Sequence, residues 1–236
     1  MAFRHLLFDA DNTLLDFDAC EAAALERLFR ELGLPWGAET AAVYHAANQE
    51  LWQALERGEL TQQELLDSRF NLAFRRLGLS AKGKKGEARY GELGGGGAFL
   101  MPGAEEACRD LAGDHSLWLV TNGISGTQRS RMRRSGLDRW FQGFFISGEM
   151  GVQKPQPEYF RRVMEALGDP DPQEVLVIGD SLTSDIRGGC QAGIPTCWYN
   201  PLGKENATPW RPDYEVRELA RLRELPGMAR EKEAAL

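Results

Sequence analysis

The chain has 236 residues, of which 42% are hydrophobic and 27% are charged, and its formal net charge is -7 at pH 7. This composition is typical of a soluble globular protein, and the length suits one domain with an insertion or two modest domains. An acidic chain lacks the clustered Lys and Arg that bind nucleic-acid phosphates, so we expect no nucleic-acid polymer as a partner, whereas a small anionic substrate stays open.

The amino terminus and the cysteines indicate the cellular compartment in which the protein is expected. Arg4, His5 and Asp9 interrupt the first ten residues, which therefore lack the apolar core of a signal peptide, and no run approaches the roughly 18 apolar residues of a membrane span. We expect a cytoplasmic protein with no membrane partner. The four cysteines show no C-x-x-C spacing, which disfavours a zinc site and a disulfide framework and predicts reduced thiols: Cys20, Cys108, Cys190 and Cys197.

The first predicted strand is Leu6-Leu7-Phe8, and it runs directly into Asp9 and Asp11. Ligands bind at the carboxyl ends of strands in an open parallel sheet, so both carboxylates are placed where a site would form. Two carboxylates about 4 Å apart repel by roughly 4 kcal/mol at an effective dielectric near 20, so either one is protonated or a cation joins them. The alternative is a simple turn, because Asp and Asn are common where strands end.

Three apolar stripes at helical spacing follow, and they predict three helices before the next strand. The first helix is expected over about residues 18–32. Thr61, with Glu64 three residues later, predicts a capping box at the start of the third helix. Residues 18 to about 92 are too long for one crossover between strands, so we interpret them as an inserted all-helical module.

Residues 82–97 hold several lysines and four consecutive glycines, Gly94 to Gly97, with little apolar content. This composition predicts a flexible return linker. A phosphate-binding loop is disfavoured, because no Lys-Ser or Lys-Thr follows the glycines. We therefore divide the chain into a core, residues 1–17 and 98–236, and an inserted segment, residues 18–97.

Helical and strand patterns alternate from Pro102 onward, which predicts an α/β fold with a doubly wound parallel sheet and right-handed crossovers. Helices are expected near residues 103–112, 127–135, 157–167 and 184–192. Strands are expected at residues 117–120, 144–146, 175–178 and 196–199. The charged residues 217–236 are predicted to form a terminal helix and a tail.

Polar side chains follow the later strands. Thr121-Asn122-Gly123 follows the second strand, Lys154-Pro155 lies beyond the third, and Gly179-Asp180 with Asp185 follows the fourth. Each piece has an ordinary explanation as a strand-end hydroxyl, a surface lysine or a helix cap. Taken together with the two front acids, they supply what phosphoryl transfer to a carboxylate requires: a nucleophile, a cation and fixed donors for the phosphate oxygens.

The ordered motifs Asp9-x-Asp11-x-Thr13, Thr121, Lys154 and Gly179-Asp180 with Asp185 resemble the four motifs of the haloacid dehalogenase superfamily. The resemblance covers residues 1–17 and about 98–200. The helical insertion falls where this superfamily carries one kind of cap. The resemblance implies a Rossmann-like core, an all-helical cap domain, a Mg²⁺ cofactor and an aspartyl-phosphate intermediate.

The resemblance also implies a catalytic role for each matching residue. Asp9 would be the nucleophile, and Asp11 would protonate the leaving alkoxide and then activate water. A carboxylate at position 11 separates phosphatases from the dehalogenases of this superfamily. Lys154 would neutralise Asp9 and the phosphate. The phosphate oxygens would be held by the loop after the second strand and by this lysine, which makes four substrate-binding residues: Thr121, Asn122, Gly123 and Lys154.

The implied Mg²⁺ site consists of a side-chain oxygen of Asp9, the backbone carbonyl of Asp11 and a carboxylate oxygen of Asp180. Such an all-oxygen set suits a small octahedral ion. Asp185 would orient Lys154 or a metal-bound water. Asn12 stands where many relatives have Gly, and it is expected to adopt a positive φ.

A narrower resemblance is to the pyrimidine 5'-nucleotidase subgroup of the superfamily. It rests on five short segments, at residues 8–14, 17–18, 120–123, 151–155 and 196–200. It implies a phosphatase of nucleoside 5'-monophosphates that prefers pyrimidines, so the expected partner is a small phosphorylated metabolite. Trp52, Phe70 and Phe74 could stack on a base, although aromatic residues at helical spacing more often form the core of a helical bundle.

Three other functions stay open at this point. The chain could be a phosphatase for a small phosphorylated acid or sugar, a phosphomutase, or a non-enzymatic binding module on the same fold. The presence of Asp9, Asp11, Lys154 and Asp180 disfavours the binding module. Release of free phosphate would separate a phosphatase from a mutase.

Overall fold

The computed structural model describes residues 2–80, 83–94 and 97–228. Within these residues six parallel strands form one sheet in the order β3-β2-β1-β4-β5-β6. The strands are β1 (His5–Phe8), β2 (Ser116–Thr121), β3 (Phe141–Ile146), β4 (Val175–Gly179), β5 (Thr196–Tyr199) and β6 (Tyr214–Val216).

The helices alternate with the later strands, which confirms the predicted Rossmann-like doubly wound α/β fold. The α-helices are α1 (Phe17–Glu31), α2 (Ala38–Glu56), α3 (Gln62–Arg76), α4 (Gly83–Gly94), α5 (Ala104–Leu111), α6 (Ser125–Ser135), α7 (Ser147–Met150), α8 (Pro157–Ala166) and α9 (Arg187–Ala192). None of the described helices has the length and apolar content needed to cross a membrane. The cytoplasmic location stays a prediction.

Strand β1 lies in the middle of the sheet, between β2 and β4. Leu6 and Phe8 pack on one face with residues of α5, and Leu7 packs on the other face with residues of α8. Each of these side chains is fully buried, and burial of one large apolar side chain is worth about 1.5–3 kcal/mol. The chain leaves β1 towards β2 and returns on the other side at β4, so the end of β1 lies at the point where ligands bind in such sheets.

Helices α1 to α4 share an apolar cluster of their own, separate from the two clusters on the sheet. Phe70 and Phe74 lie in this cluster and are 1% exposed, so the bundle-core interpretation of these two aromatic residues is confirmed and they are not free to stack on a base. The division of the chain into core residues 1–17 and 98–236 and cap residues 18–97 stays a prediction, and we use "cap" for α1 to α4.

The prediction of a flexible linker at residues 82–97 was wrong for most of its length, because residues 83–94 form helix α4. Residues 82, 95 and 96 lie outside the described residues. Tyr90 packs into the cap cluster, and Glu87 accepts two hydrogen bonds of 2.6 Å from the buried Arg69. These contacts offset the low helix propensity of the glycines, which local composition alone could not reveal.

The terminal helix predicted in residues 217–236 is present only as a short 3₁₀ helix over the part that is described, and the strand before it was not predicted. A three-residue strand, β6, pairs with β5 and is followed by a 3₁₀ helix at Leu219–Glu224. Leu219 and Leu222 are buried against the sheet. A strand this short is not recognisable in the sequence, because three residues show no clear alternation of apolar and polar side chains. Residues 229–236 lie outside the described residues.

The capping box predicted at Thr61 is present: the Thr61 hydroxyl accepts from Glu64 N at 3.2 Å, and Glu64 accepts from Thr61 N at 2.7 Å. We expect Thr61→Ala to lower the free energy of unfolding by about 1 kcal/mol, since it leaves backbone donors of α3 without a partner. Urea unfolding checks this. Gln63→Ala, in the same exposed turn, should change stability by less, and an equal loss in both variants would contradict the capping role.

Candidate active site

Lys154 lies at the centre of the site and is 2% exposed. Its ammonium group donates to Asp9 Oδ1 at 2.6 Å, to Asp185 Oδ1 at 2.6 Å and to the backbone carbonyl of Val120 at 2.8 Å, which uses all three of its protons. Burial lowers the pKa of Lys154, but the carboxylates of Asp185 and Asp9 raise it more, and the net shift is upward. The amine therefore stays protonated and joins two acids.

The backbone of Lys154 is held by Asn122. The side chain of Asn122 accepts from Lys154 N at 2.9 Å and donates to Lys154 O at 2.8 Å. The side chain of Asn122, which was predicted to bind substrate, thus positions Lys154.

Asp185 reaches back to the end of β4. Its Oδ2 accepts from Ser181 N at 3.1 Å, and a Cβ at Gly179 would lie 2.2 Å from that same oxygen. A side chain at position 179 would therefore collide with Asp185, which explains the glycine in the fourth motif. The predicted contact between Asp185 and Lys154 is present, and Asp185 also belongs to the acidic cluster at the site.

This acidic cluster consists of Asp9, Asp180 and Asp185, whose carboxylate oxygens lie within 4.8 Å of one another. Burial raises the pKa of Asp9 to about 7, although Lys154 opposes the shift. Burial also raises the pKa of Asp180 well above its usual range, and the neighbouring Asp9 and Asp185 add to that rise. One ammonium group cannot balance three ionised carboxylates, so the arrangement favours a divalent cation.

The turn after β1 shapes the other side of the cluster. Asn12 has a φ of 57°, as expected from the sequence, and its Oδ1 accepts from Phe17 N at 3.0 Å at the start of α1. The hydroxyl of Thr13 accepts from Asp180 N at 3.1 Å. The first motif therefore fixes the loop that carries Asp180.

Asp11 is held by two residues that the sequence analysis missed. Gln128 Nε2 donates to Asp11 Oδ2 at 2.5 Å, and Arg131 donates to Asp11 Oδ1. Both come from α6, and both side chains are buried. They are three residues apart on the helix that follows Thr121-Asn122-Gly123, so they share one helix face, and this spacing was the available signal.

The loop after β2 closes tightly. Gly123 N donates to Thr121 Oγ1 at 3.1 Å, and a Cβ at Gly123 would lie 2.1 Å from Gln128 Nε2. Any other residue at position 123 would displace the side chain that holds Asp11.

One cavity of about 250 Å³ is lined by all of the predicted site residues: Asp9, Asp11, Thr121, Asn122, Gly123, Lys154, Asp180 and Asp185. We call this cavity the phosphate cleft.

The cap also contributes to the phosphate cleft, which the sequence did not reveal. Trp52 and Glu56 of α2 line it together with Phe17. Glu56 accepts from Thr183 Oγ1 at 2.9 Å, and Gln62 donates to the backbone carbonyl of Asn122 at 3.1 Å. Cap side chains therefore touch the core on two sides of the cleft.

Comparison with known proteins identifies the family of the chain. Residues 3–193 match the family model of haloacid dehalogenase-like hydrolases. The chain belongs to this family. The resemblance inferred from the four motifs is therefore confirmed, and the family match includes the helical insertion as well as the core.

Three relatives of this haloacid dehalogenase-like hydrolase match over nearly their whole length. The putative HAD-hydrolase YfnB of Bacillus subtilis is 42% identical, with 93% of this chain and 94% of YfnB covered. The pyrimidine 5'-nucleotidase PynA of Streptococcus pneumoniae is 38% identical, with 92% of each chain covered. The pyrimidine 5'-nucleotidase YjjG of Escherichia coli is 35% identical, with 95% of this chain and 98% of YjjG covered.

The crystal structure of YfnB superposes with a TM-score of 0.90 at 41% identity and covers 95% of this chain and 98% of that one. That structure is described as bound to magnesium and as revealing interdomain movement. With two nucleotidases among its relatives, this haloacid dehalogenase-like hydrolase is a phosphoric monoester hydrolase. The non-enzymatic binding module is thereby set aside.

Proposed function

We propose that the chain is a magnesium-dependent phosphatase of nucleoside 5'-monophosphates that prefers pyrimidines and acts through an aspartyl-phosphate on Asp9. The observation that carries the proposal is the buried ammonium of Lys154, which joins Asp9 to Asp185 beside Asp11 in a small cleft. The preference for pyrimidine nucleotides is supported by the relatives PynA and YjjG.

Asp9 is the proposed nucleophile. Its carboxylate oxygen forms a bond to phosphorus while the bond between phosphorus and the ester oxygen of the substrate breaks. Lys154 keeps this carboxylate oriented through the 2.6 Å hydrogen bond to Oδ1 and offsets the negative charge of the arriving phosphate. The backbone N–H of Asn122 and the hydroxyl of Thr121 would bind phosphate oxygens.

Asp11 is the proposed proton carrier. In the first step it gives its proton to the leaving alkoxide, and in the second step it takes a proton from the water that attacks the phosphoryl group on Asp9. The two steps return both carboxylates to their starting states. Gln128 and Arg131 hold the Asp11 side chain, so its orientation depends on α6.

The residues present fit magnesium. Asp9 and Asp180 would hold the ion with side-chain oxygens and Asp11 with its backbone carbonyl, and Asp185 lies close enough to bind it directly or through water. When bound, the ion supplies positive charge that brings the phosphate to the nucleophile.

The cap would cover the cleft while the substrate is bound. The interdomain movement described for YfnB supports a cap that changes its position relative to the core. Glu56 and Gln62 are two of the cap side chains that reach the core. A closed cap excludes water other than the attacking molecule.

We expect kcat/KM to be higher for UMP and dTMP than for AMP, GMP or phosphoglycolate. The core binds only the phosphate, so discrimination must come from groups near the leaving alcohol, and hydrogen bonds to a base edge discriminate more strongly than apolar contact does. Phosphate release measured on these five compounds under one set of conditions decides the matter. Comparable rates on all five would indicate a general phosphatase, and a clear lead for phosphoglycolate would favour the small-acid alternative.

A further inference from the structure

A second cavity, of about 50 Å³, lies between the cap and α6 and shares Asp11, Phe17, Trp52 and Gly123 with the phosphate cleft. We call it the cap pocket. Because Asp11, the proposed acid for the leaving alcohol, lines both cavities, a leaving alcohol beside it has access to the cap pocket. Both volumes together reach only the lower end of the range of small-molecule sites, roughly 300–1,000 Å³, which suits a mononucleotide with a single-ring base.

The walls of the cap pocket are mostly apolar, with aromatic side chains from three elements. Phe17 comes from α1, Trp52 from α2 and Tyr90 from α4. Trp52 is half-buried, whereas the other two aromatic residues considered for base stacking, Phe70 and Phe74, are closed inside the cap cluster. Flat aromatic walls favour a planar ring over a flexible chain.

One wall of the cap pocket carries a buried carboxylate, that of Glu21, which is 4% exposed. Its Oε2 accepts a 3.3 Å hydrogen bond from Asn48, while its Oε1 has no hydrogen-bond partner among the described residues. Nδ1 of His45 lies 3.7 Å from Oε1 and forms an ion pair with it when the imidazole is protonated, on a side chain that is 57% exposed. The other nearby cation, Arg69, is bound through two nitrogens to Glu87.

Leaving this oxygen without a hydrogen bond costs stability. An unsatisfied buried polar group costs about 1–3 kcal/mol, and a charged group costs more. Burial also raises the pKa of Glu21, while His45 and Arg69 act against that rise. Such groups are rare in native proteins unless something binds them, and this one lines a cavity next to the proposed proton carrier.

Two residues of α6 also bring polar atoms without partners to the cap pocket. Nε and Nη2 of Arg131 and Oε1 of Gln128 are buried and have no hydrogen-bond partner within the described ranges. Both residues line the pocket, and both also hold Asp11. The pocket therefore presents a carboxylate acceptor on the cap side and a guanidinium donor on the core side.

We propose that Glu21 determines base specificity by accepting a hydrogen bond from the ring N3–H of uracil or thymine. This inference rests on the proposed nucleotidase function. An imide ring carries an N–H donor between two carbonyl acceptors, so it satisfies Glu21 and Arg131 at once. Cytosine has no hydrogen on N3, and a purine needs a wider pocket.

The test on the protein side is Glu21→Gln, which keeps the size of the side chain and an oxygen for Asn48. The other end of the glutamine then presents an N–H group to the N–H of the ring. A hydrogen bond to a charged group is typically worth enough for a roughly 10- to 100-fold change. We expect kcat/KM for UMP to fall by that factor, and kcat/KM for p-nitrophenyl phosphate, which has no base, to stay within about twofold.

The test on the ligand side is the 5'-monophosphate of 3-methyluridine, in which a methyl group replaces the N3 hydrogen. The wild type should prefer UMP over this compound by roughly 10-fold or more, whereas Glu21→Gln should lose most of that preference. CMP should be a poorer substrate than UMP for the wild type. Glu26→Gln is the matched control, because Glu26 lies on the same helix and its carboxylate pairs with Arg30 at the surface.

The outcomes separate the two proposals. An equal fall on UMP and p-nitrophenyl phosphate in Glu21→Gln would show that Glu21 only supports the fold, and it would overturn the inference. The same holds if the variant keeps the full preference for UMP over its 3-methyl form, and in both cases the nucleotidase function survives. A wild type that hydrolyses p-nitrophenyl phosphate but no nucleotide would overturn both.

Discussion

Asp9→Asn should leave no measurable phosphate release, whereas Asp11→Asn should lower kcat by roughly 10²- to 10⁴-fold. An amide at position 9 can still accept the hydrogen bond from Lys154, so the site keeps its shape, but an amide is a poor nucleophile. The change at position 11 keeps the backbone carbonyl and removes the group that moves protons, together with the negative charge that pairs with Arg131. Steady-state phosphate release on UMP, with Asp110→Asn on the exposed face of α5 as a control, measures both effects.

A second measurement separates the roles of the two acids. Acid-quenched Asp11→Asn incubated with p-nitrophenyl phosphate should show one added phosphoryl group on the peptide that contains Asp9, because p-nitrophenolate leaves without a proton while the loss of the general base slows hydrolysis of the intermediate. The same peptide from Asp9→Asn should show none. Higher residual activity in Asp9→Asn than in Asp11→Asn would mean that the two roles are assigned wrongly.

Chelation by EDTA should abolish turnover, and added Mg²⁺ should restore it. The physical reason is the cluster of Asp9, Asp180 and Asp185, whose oxygens lie within 4.8 Å and whose charge is only partly balanced by Lys154. Full activity after exhaustive chelation would contradict the assignment of Asp180 as a ligand.

Metal binding should also appear in stability, independently of activity. An ion that binds only the folded chain adds about 2.7 kcal/mol at a concentration one hundred times its Kd, so Mg²⁺ should raise the Tm of the wild type. Asp180→Asn should lose most of this rise, and Asp110→Asn should retain it. An equal rise in all three proteins would indicate binding elsewhere on the surface.

The sequence by itself predicted the sheet and the residues at its edge. The apolar runs Leu6-Leu7-Phe8 and residues 175–178 are buried on both faces, so their side chains carry a strong signal of parallel strands. The carboxyl ends of such strands meet at one edge, so strand order along the chain is enough to bring Asp9, Thr121 and Asp180 together in one site.

Local composition failed where distant packing decides the conformation. Helix α4 contains Gly83, Gly86 and Gly91, and its propensity is low, but Tyr90 and Glu87 dock on α3 and the rest of the cap. Strand β6 is three residues long and depends on pairing with β5. In both cases the stabilising contacts come from parts of the chain that no sequence window includes.

Only the tertiary structure showed which residues surround Asp11 and line the cap pocket. Gln128 and Arg131 lie more than one hundred residues from Asp11 in the chain, and Glu21 and Trp52 belong to an insertion whose position over the core no periodicity specifies. The spacing of the motifs is enough to predict the catalytic residues, because these residues lie at a few positions directly after strands. Substrate choice depends on which side chains of the cap face the cleft, and that is decided by how the cap packs against α6 and the sheet edge.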